Sequence, residues 1–146
     1  MNLFGVLDIN GSALTAERAR AEVVASNMAN AETTRTPKGG PYQRQLVVFG
    51  TQRPGHASFA QTLTGLSDLH ARGVKVAQVV QDQTPPIRRY EPGHPDADDQ
   101  GFVSFPDINP VEEMVNLMGA SQAYQLNVAA AQATKSMISE SIQILT

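Results

Sequence analysis

The chain has 146 residues, enough for one compact domain or a small domain with helical extensions. It is 41% apolar but only 5% aromatic, with no Trp and no Cys. Ala, Val, Leu and Met must therefore fill any core, and disulfides, thiolate catalysis and cysteine-held zinc are excluded. The net charge of −3, from 11 basic and 14 acidic residues with no basic patch, argues against a nucleic-acid partner.

The opening Met1-Asn2-Leu3-Phe4-Gly5 lacks the basic region and the apolar run of about 7–15 residues that mark a secretory signal. No stretch reaches the ~18 apolar residues of a membrane span. Composition alone therefore points to a cytosolic protein. All nine prolines lie between Pro37 and Pro110. Proline breaks helix interiors, so long helices are confined to the two ends.

In the N-terminal segment, Leu7, Leu14, Ala21 and Met28 recur every seven residues, with Val24 and Ala25 beside them. Ser12 or Thr15 is a candidate cap. The stripe is small and alanine-rich, which permits close approach of another helix. Asn27 to Asn30 and the Thr33–Pro37 stretch suit a helix end and loop.

The middle holds four strand candidates: Gln45–Phe49, Gly73–Val80, Ile87–Tyr90 and Phe102–Phe105. Pro54-Gly55, Pro85-Pro86, Pro92-Gly93 and Gln100-Gly101 separate them as turns. Residues 50–70 read as loop or a short helix.

The C-terminal segment gives the clearest helix. Asn109 is an N-cap, Pro110 fits the first helical position, and Glu112 and Glu113 face the positive end of the dipole. Nothing stops the helix before about Leu145, a length of about 50 Å at ~1.5 Å per residue. Gly119 is its weak point, at roughly 1 kcal/mol relative to Ala. Met114, Leu117, Ser121, Tyr124, Val128, Ala131, Lys135, Ile138, Ile142 and Leu145 form a heptad seam. Leu126, Ala130, Ala133, Met137 and Ile144 form a second stripe, and a helix with two stripes needs more than one neighbour.

The fold class is thus α+β: long terminal helices pairing as a coiled coil, with a small antiparallel β-rich domain inserted between them. The divisions are 1–35, 36–108 and 109–146. In this packing Leu14, Ala21, Val24 and Met28 meet Leu117, Tyr124, Val128, Ala131 and Ile138. Leu126, Ala130 and Met137 are left for neighbouring molecules. Asn27 and Asn30 either bond the loop leaving the first helix or simply cap it.

Catalytic and metal sites find thin support. Asp96-Ala97-Asp98-Asp99-Gln100-Gly101, with Asp107 at the twelfth position, echoes a calcium loop. The last ligand is Asp instead of Glu, Phe102–Phe105 reads as strand, and no helix precedes it, so a solvated turn is the simpler reading. His56, His70 and His94 have no ligand spacing. No nucleophile elbow, phosphate loop or dinucleotide fingerprint occurs.

Ser26-Asn27-Met28-Ala29-Asn30-Ala31-Glu32-Thr33-Thr34 resembles the Asn-Asn-Leu-Ala-Asn-x-Asn-Thr signature near the start of flagellar rod and hook proteins. Gly39–Arg44 and Val47-Val48-Phe49 are similar to the proximal-rod subtype. Gly101-Phe102-Val103, Asn109–Val115, Ala120–Tyr124, Asn127–Ala130 and Ala133–Met137 continue the resemblance at the other end. It covers about residues 12–49 and 95–145. Met28 stands in place of the usual Leu, and Arg35-Thr36-Pro37 where many relatives carry a glycine.

The resemblance implies a structural, non-enzymatic subunit without cofactor, small-molecule substrate or nucleic acid. It implies export through the flagellum's own type III apparatus without a cleaved signal. The chain would assemble into an axial rod crossing the periplasm, in the basal body. The implied partners are further copies, other proximal and distal rod subunits, and a basal-body adaptor protein. The implied assembly residues are Leu14, Ala21, Val24, Asn27, Met28, Asn30, Met114, Leu117, Tyr124, Leu126, Val128, Ala131, Met137 and Ile138. Two alternatives stand beside it: a cytosolic coiled-coil adaptor, and a metal-dependent enzyme built on His94 and the aspartates.

Overall fold

The computed structural model describes residues 3–52 and 73–144. The loop or short helix expected over 50–70 therefore falls, from residue 53 on, outside the described residues, as does Leu145.

Helix α1 runs from Leu3 to Ala29. It starts well before the expected caps. Ser12 and Thr15 lie inside it, and their hydroxyls donate back to the carbonyls of Ile9 (2.7 Å) and Gly11 (3.0 Å). Such back-bonding lets short polar side chains sit in a helix interior without capping it. The helix closes where Asn30 N donates to the carbonyls of Ser26 and Asn27.

Strands β1 (Gln45–Thr51) and β2 (Val74–Gln81) pair antiparallel, from Gln45 opposite Gln81 to Thr51 opposite Val74. A register shift between Val48 and Phe49 leaves Ala77 as an extra residue on β2. Strands β3 (Ile87–Tyr90) and β4 (Phe102–Phe105) form a second antiparallel pair. Among the described residues the insert is therefore two separate two-stranded ribbons instead of one sheet. A lone ribbon is marginal in water, and each leans on other structure. The first packs on α1. The second buries Val103 and Phe105 close to Ile108 in sequence, just ahead of the last helix.

Gly101 turns the chain into β4 with φ +81°. A Cβ there would lie 2.9 Å from the Tyr90 ring, so left-handed backbone and close packing both require glycine.

Helix α2 spans Pro110–Ile144. The Asn109 side chain accepts from Val111 N at 3.0 Å, the N-cap expected from sequence. Among the described residues α2 packs against α1 and against no strand. α1 thus lies between α2 and the first ribbon. α2 is eight residues longer than α1, roughly 12 Å of helix at 1.5 Å per residue. Among the described residues no helix is long and apolar enough to cross a membrane.

Candidate assembly interface

The end of α1, the start of β1 and the first turn of α2 meet at Asn27. Its side chain is almost fully buried, at 1% exposure, and uses its whole hydrogen-bonding capacity. Nδ2 donates to the Gln45 carbonyl (2.8 Å) and to Glu113 Oε2 (3.2 Å). Oδ1 accepts from Gln45 N (2.9 Å) and from the Tyr42 hydroxyl (3.2 Å). Asn27 therefore mimics a strand neighbour for Gln45 and starts β1 at a fixed place.

Glu113 is equally buried. Its Oε1 accepts from Arg44 Nε (3.0 Å) and Nη2 (2.6 Å). A buried carboxylate needs such a partner, because losing its hydration costs several kcal/mol. Residues 27, 42, 44, 45 and 113 thus form one polar joint binding both helices to the insert. Asn30 behaves differently: its Nδ2 donates back to the Ser26 carbonyl (2.9 Å), and its Oδ1 accepts from the Thr33 hydroxyl (3.1 Å). Of the two readings for these asparagines, bonding the departing chain applies to Asn27, and Asn30 does both, capping through Ser26 and holding the exit through Thr33.

Away from the joint the helices run back along each other. Ala16 and Val24 are buried on α1, and Ala120 and Thr134 on α2. Leu117, Ala123, Asn127, Val128, Ala131 and Ile138 are half-buried. The covered line on α2 is therefore 113, 117, 120, 123, 127, 131, 134 and 138. Leu117, Ala131 and Ile138 of the expected seam lie on it, whereas Met114, Ser121, Tyr124, Val128 and Lys135 sit one residue off. Met114 (54% exposed) and Tyr124 (41%) face outward, and Glu113 and Ala123 face α1 in their stead. Ser121 and Lys135 yield in the same way to Ala120 and Thr134. On α1, Leu14, Ala21 and Met28 are half-buried at the flank, while Val24 lies fully in the seam.

The opposite face of α2 is open. Val111, Val115, Met118, Leu126 and Met137 are all exposed, Leu126 at 65%. From Met114 to Thr134 the helix carries no Asp, Glu, Lys, Arg or His. A solvated helix face normally carries charge. An apolar, uncharged face of this length is of the kind that meets another protein.

The residues behind the calcium-loop and enzyme readings have other work. Asp98 closes a turn, accepting from Phe102 N (2.8 Å) and Gln100 N (3.0 Å), and pairs with Arg88. The Phe102 hydrogen bond above all, with help from Gln100 and Arg88, lowers its pKa below the usual carboxylate value. Asp96 takes the Thr34 hydroxyl (2.8 Å) and faces Arg35 (3.6 Å), tying the loop after α1 to the β3–β4 connection. His94 Nδ1 accepts from Asp96 N (3.1 Å). Among the described residues no three His, Asp or Glu side chains gather in a ligand set. A cleft of about 520 Å3 beside the joint is walled mainly by the 36–45 loop, Pro86 and Pro106.

Comparison with known proteins agrees with this geometry. Residues 7–35, most of α1 and its exit, match the family described as flagella basal body rod protein. Residues 99–144, β4 and α2, match the C-terminal family of the flagellar basal body rod FlgEFG proteins. The flagellar basal-body rod protein FlgC of Escherichia coli O6:H1 is 43% identical over 99% of this chain and 98% of its own length. FlgC of Borreliella burgdorferi is 37% identical over 99% of each chain. FlgC of Bacillus subtilis is 35% identical, also over 99% of each. With this identity maintained from end to end, the chain belongs to the FlgC family of flagellar basal-body rod proteins.

Proposed function

We propose that this chain is a structural subunit of the flagellar basal-body rod, of the proximal type, and that it assembles through its terminal helices. The observation that carries this reading is the exposed, uncharged outer face of α2. Fully covering one large apolar side chain there gains about 1.5–3 kcal/mol, so several such contacts per neighbour work together against the cost of association.

In this reading residues 1–35 and 109–146 form the axial core, with α1 and α2 wound as a coiled coil. Residues 36–108 form an outer insert held by the Asn27 joint. Leu126, Met137 and the outward Met114 and Tyr124 engage neighbouring molecules. Leu14, Ala21, Val24, Leu117, Val128, Ala131 and Ile138 close the pair from within. The partners are further copies and other rod components, including an adaptor at the base. The chain reaches them by export through the flagellum's type III apparatus, in a rod that crosses the periplasm.

The test is Leu126→Asp in a cell lacking its own copy. The side chain is mostly exposed, so the monomer should fold as before. The expected result is normal export with loss of rods and motility. Swimming cells with normal basal bodies would remove α2's outer face from the assembly.

A further inference from the structure

Asn10 and Gly11 form the single Asn-Gly pair in the chain. In unfolded chain this dipeptide is prone to cyclise. The Gly11 backbone nitrogen attacks the Asn10 side-chain carbonyl carbon, ammonia leaves, and a five-membered succinimide remains. Water then opens the ring to aspartate or isoaspartate. Glycine favours the attack because no side chain shields its nitrogen.

The structure opposes it. Both residues lie inside α1, where helical dihedrals hold the Gly11 nitrogen away from the Asn10 side chain. Asn10 is only 9% exposed, and its Nδ2 is buried without a hydrogen-bond partner among the described residues. The amide is therefore tolerated at this position instead of being held by it. An aspartate there would carry a charge in a place that leaves even a neutral donor unsatisfied, and burying an unpaired charge is far more costly.

We infer that Asn10-Gly11 is a deamidation site guarded by the folding of α1, so that a chain with α1 unfolded for long acquires a charge that prevents α1 from packing again. The modification needs no enzyme and no reagent beyond water. It makes dwell time in the open state an irreversible defect. This does not rest on the rod reading.

The test incubates the full chain at mildly alkaline pH, with and without urea, and follows ammonia loss and isoaspartate at residue 10 by peptide mass spectrometry. Asn27, Asn30, Asn116 and Asn127, which precede bulkier residues, serve as internal controls. Asn10 should convert at least about tenfold more slowly in the folded chain than in urea, the factor given by 1.4 kcal/mol of opening free energy. Gly11→Ala should slow conversion in urea and leave the fold intact, since a Cβ at Gly11 meets nothing within 4 Å. Asn10→Asp should lower the urea midpoint, and Asn10→Ala should not. Equal rates with and without urea, or an unchanged midpoint for Asn10→Asp, would overturn the inference.

Discussion

Replacing Asn27 by Ala strands three polar groups at once, the Gln45 N–H and carbonyl and one oxygen of Glu113, while the Tyr42 hydroxyl keeps Ser26. Buried groups left unpaired cost about 1–3 kcal/mol each, and partial rehydration recovers some of it. A loss of about 2–4 kcal/mol is expected, measured by urea unfolding. Arg44→Met should cost a similar amount, because Glu113 then stays buried without its cation. Adding Glu113→Leu should restore part of the loss. Asp98 gives a prediction in pH. Its folded pKa lies below the ordinary value of 3.8, so its contribution is complete above that value and is lost as pH falls through the folded one. The Phe102 amide resonance should report that loss in an acid titration, and Asp98→Asn should flatten the response. Asn27 was legible in the sequence as a residue at a helix end. Its partners were not, because Gln45 and Glu113 lie 18 and 86 residues away.

Gly119 sits on α2 with nothing within 4 Å of where a Cβ would point. Gly119→Ala should therefore stabilise the helix by about 1 kcal/mol, read from thermal melting by circular dichroism. Gly101→Ala should do the opposite to the β3–β4 ribbon, since its positive φ and the Tyr90 ring both resist a side chain. The strands at Ile87–Tyr90 and Phe102–Phe105, and the Asn109–Pro110 start of α2, stand where turn and cap chemistry puts them. The start of α1 does not. Ser12 and Thr15 have the residue types of caps, but a cap serves the unsatisfied amides of the turn that follows it, and here those amides already have helical carbonyls before them because α1 starts at Leu3. The α2 seam differs from the expected one at Met114, Ser121, Tyr124, Val128 and Lys135 for a related reason. Apolar periodicity selects Met114 and Tyr124, whereas the structure buries Glu113 and Thr134, whose polar atoms find partners at Arg44 and the Ala130 carbonyl.

At the scale of the whole fold, the described residues cover α1 on two sides and α2 on one. Amide exchange in dilute solution should accordingly be slow around Val24 and Ala120. It should be fast beyond about residue 137, where α2 outruns its partner. Self-association through the stretch of α2's outer face between Met114 and Thr134 should not weaken with added salt, because this stretch has no charges to screen, as sedimentation at two ionic strengths would show. The sequence by itself determined which segments are helix and which are strand, the proline-free ends, the N-cap of α2 and the family. Those features depend on neighbours in the chain, and local sterics and capping decide them. Only the tertiary structure decided which side of α2 faces α1, that the insert divides into two ribbons, and that one asparagine joins three elements. Each of these depends on how buried polar groups far apart in the chain satisfy one another, and hydrophobic spacing carries no record of that pairing.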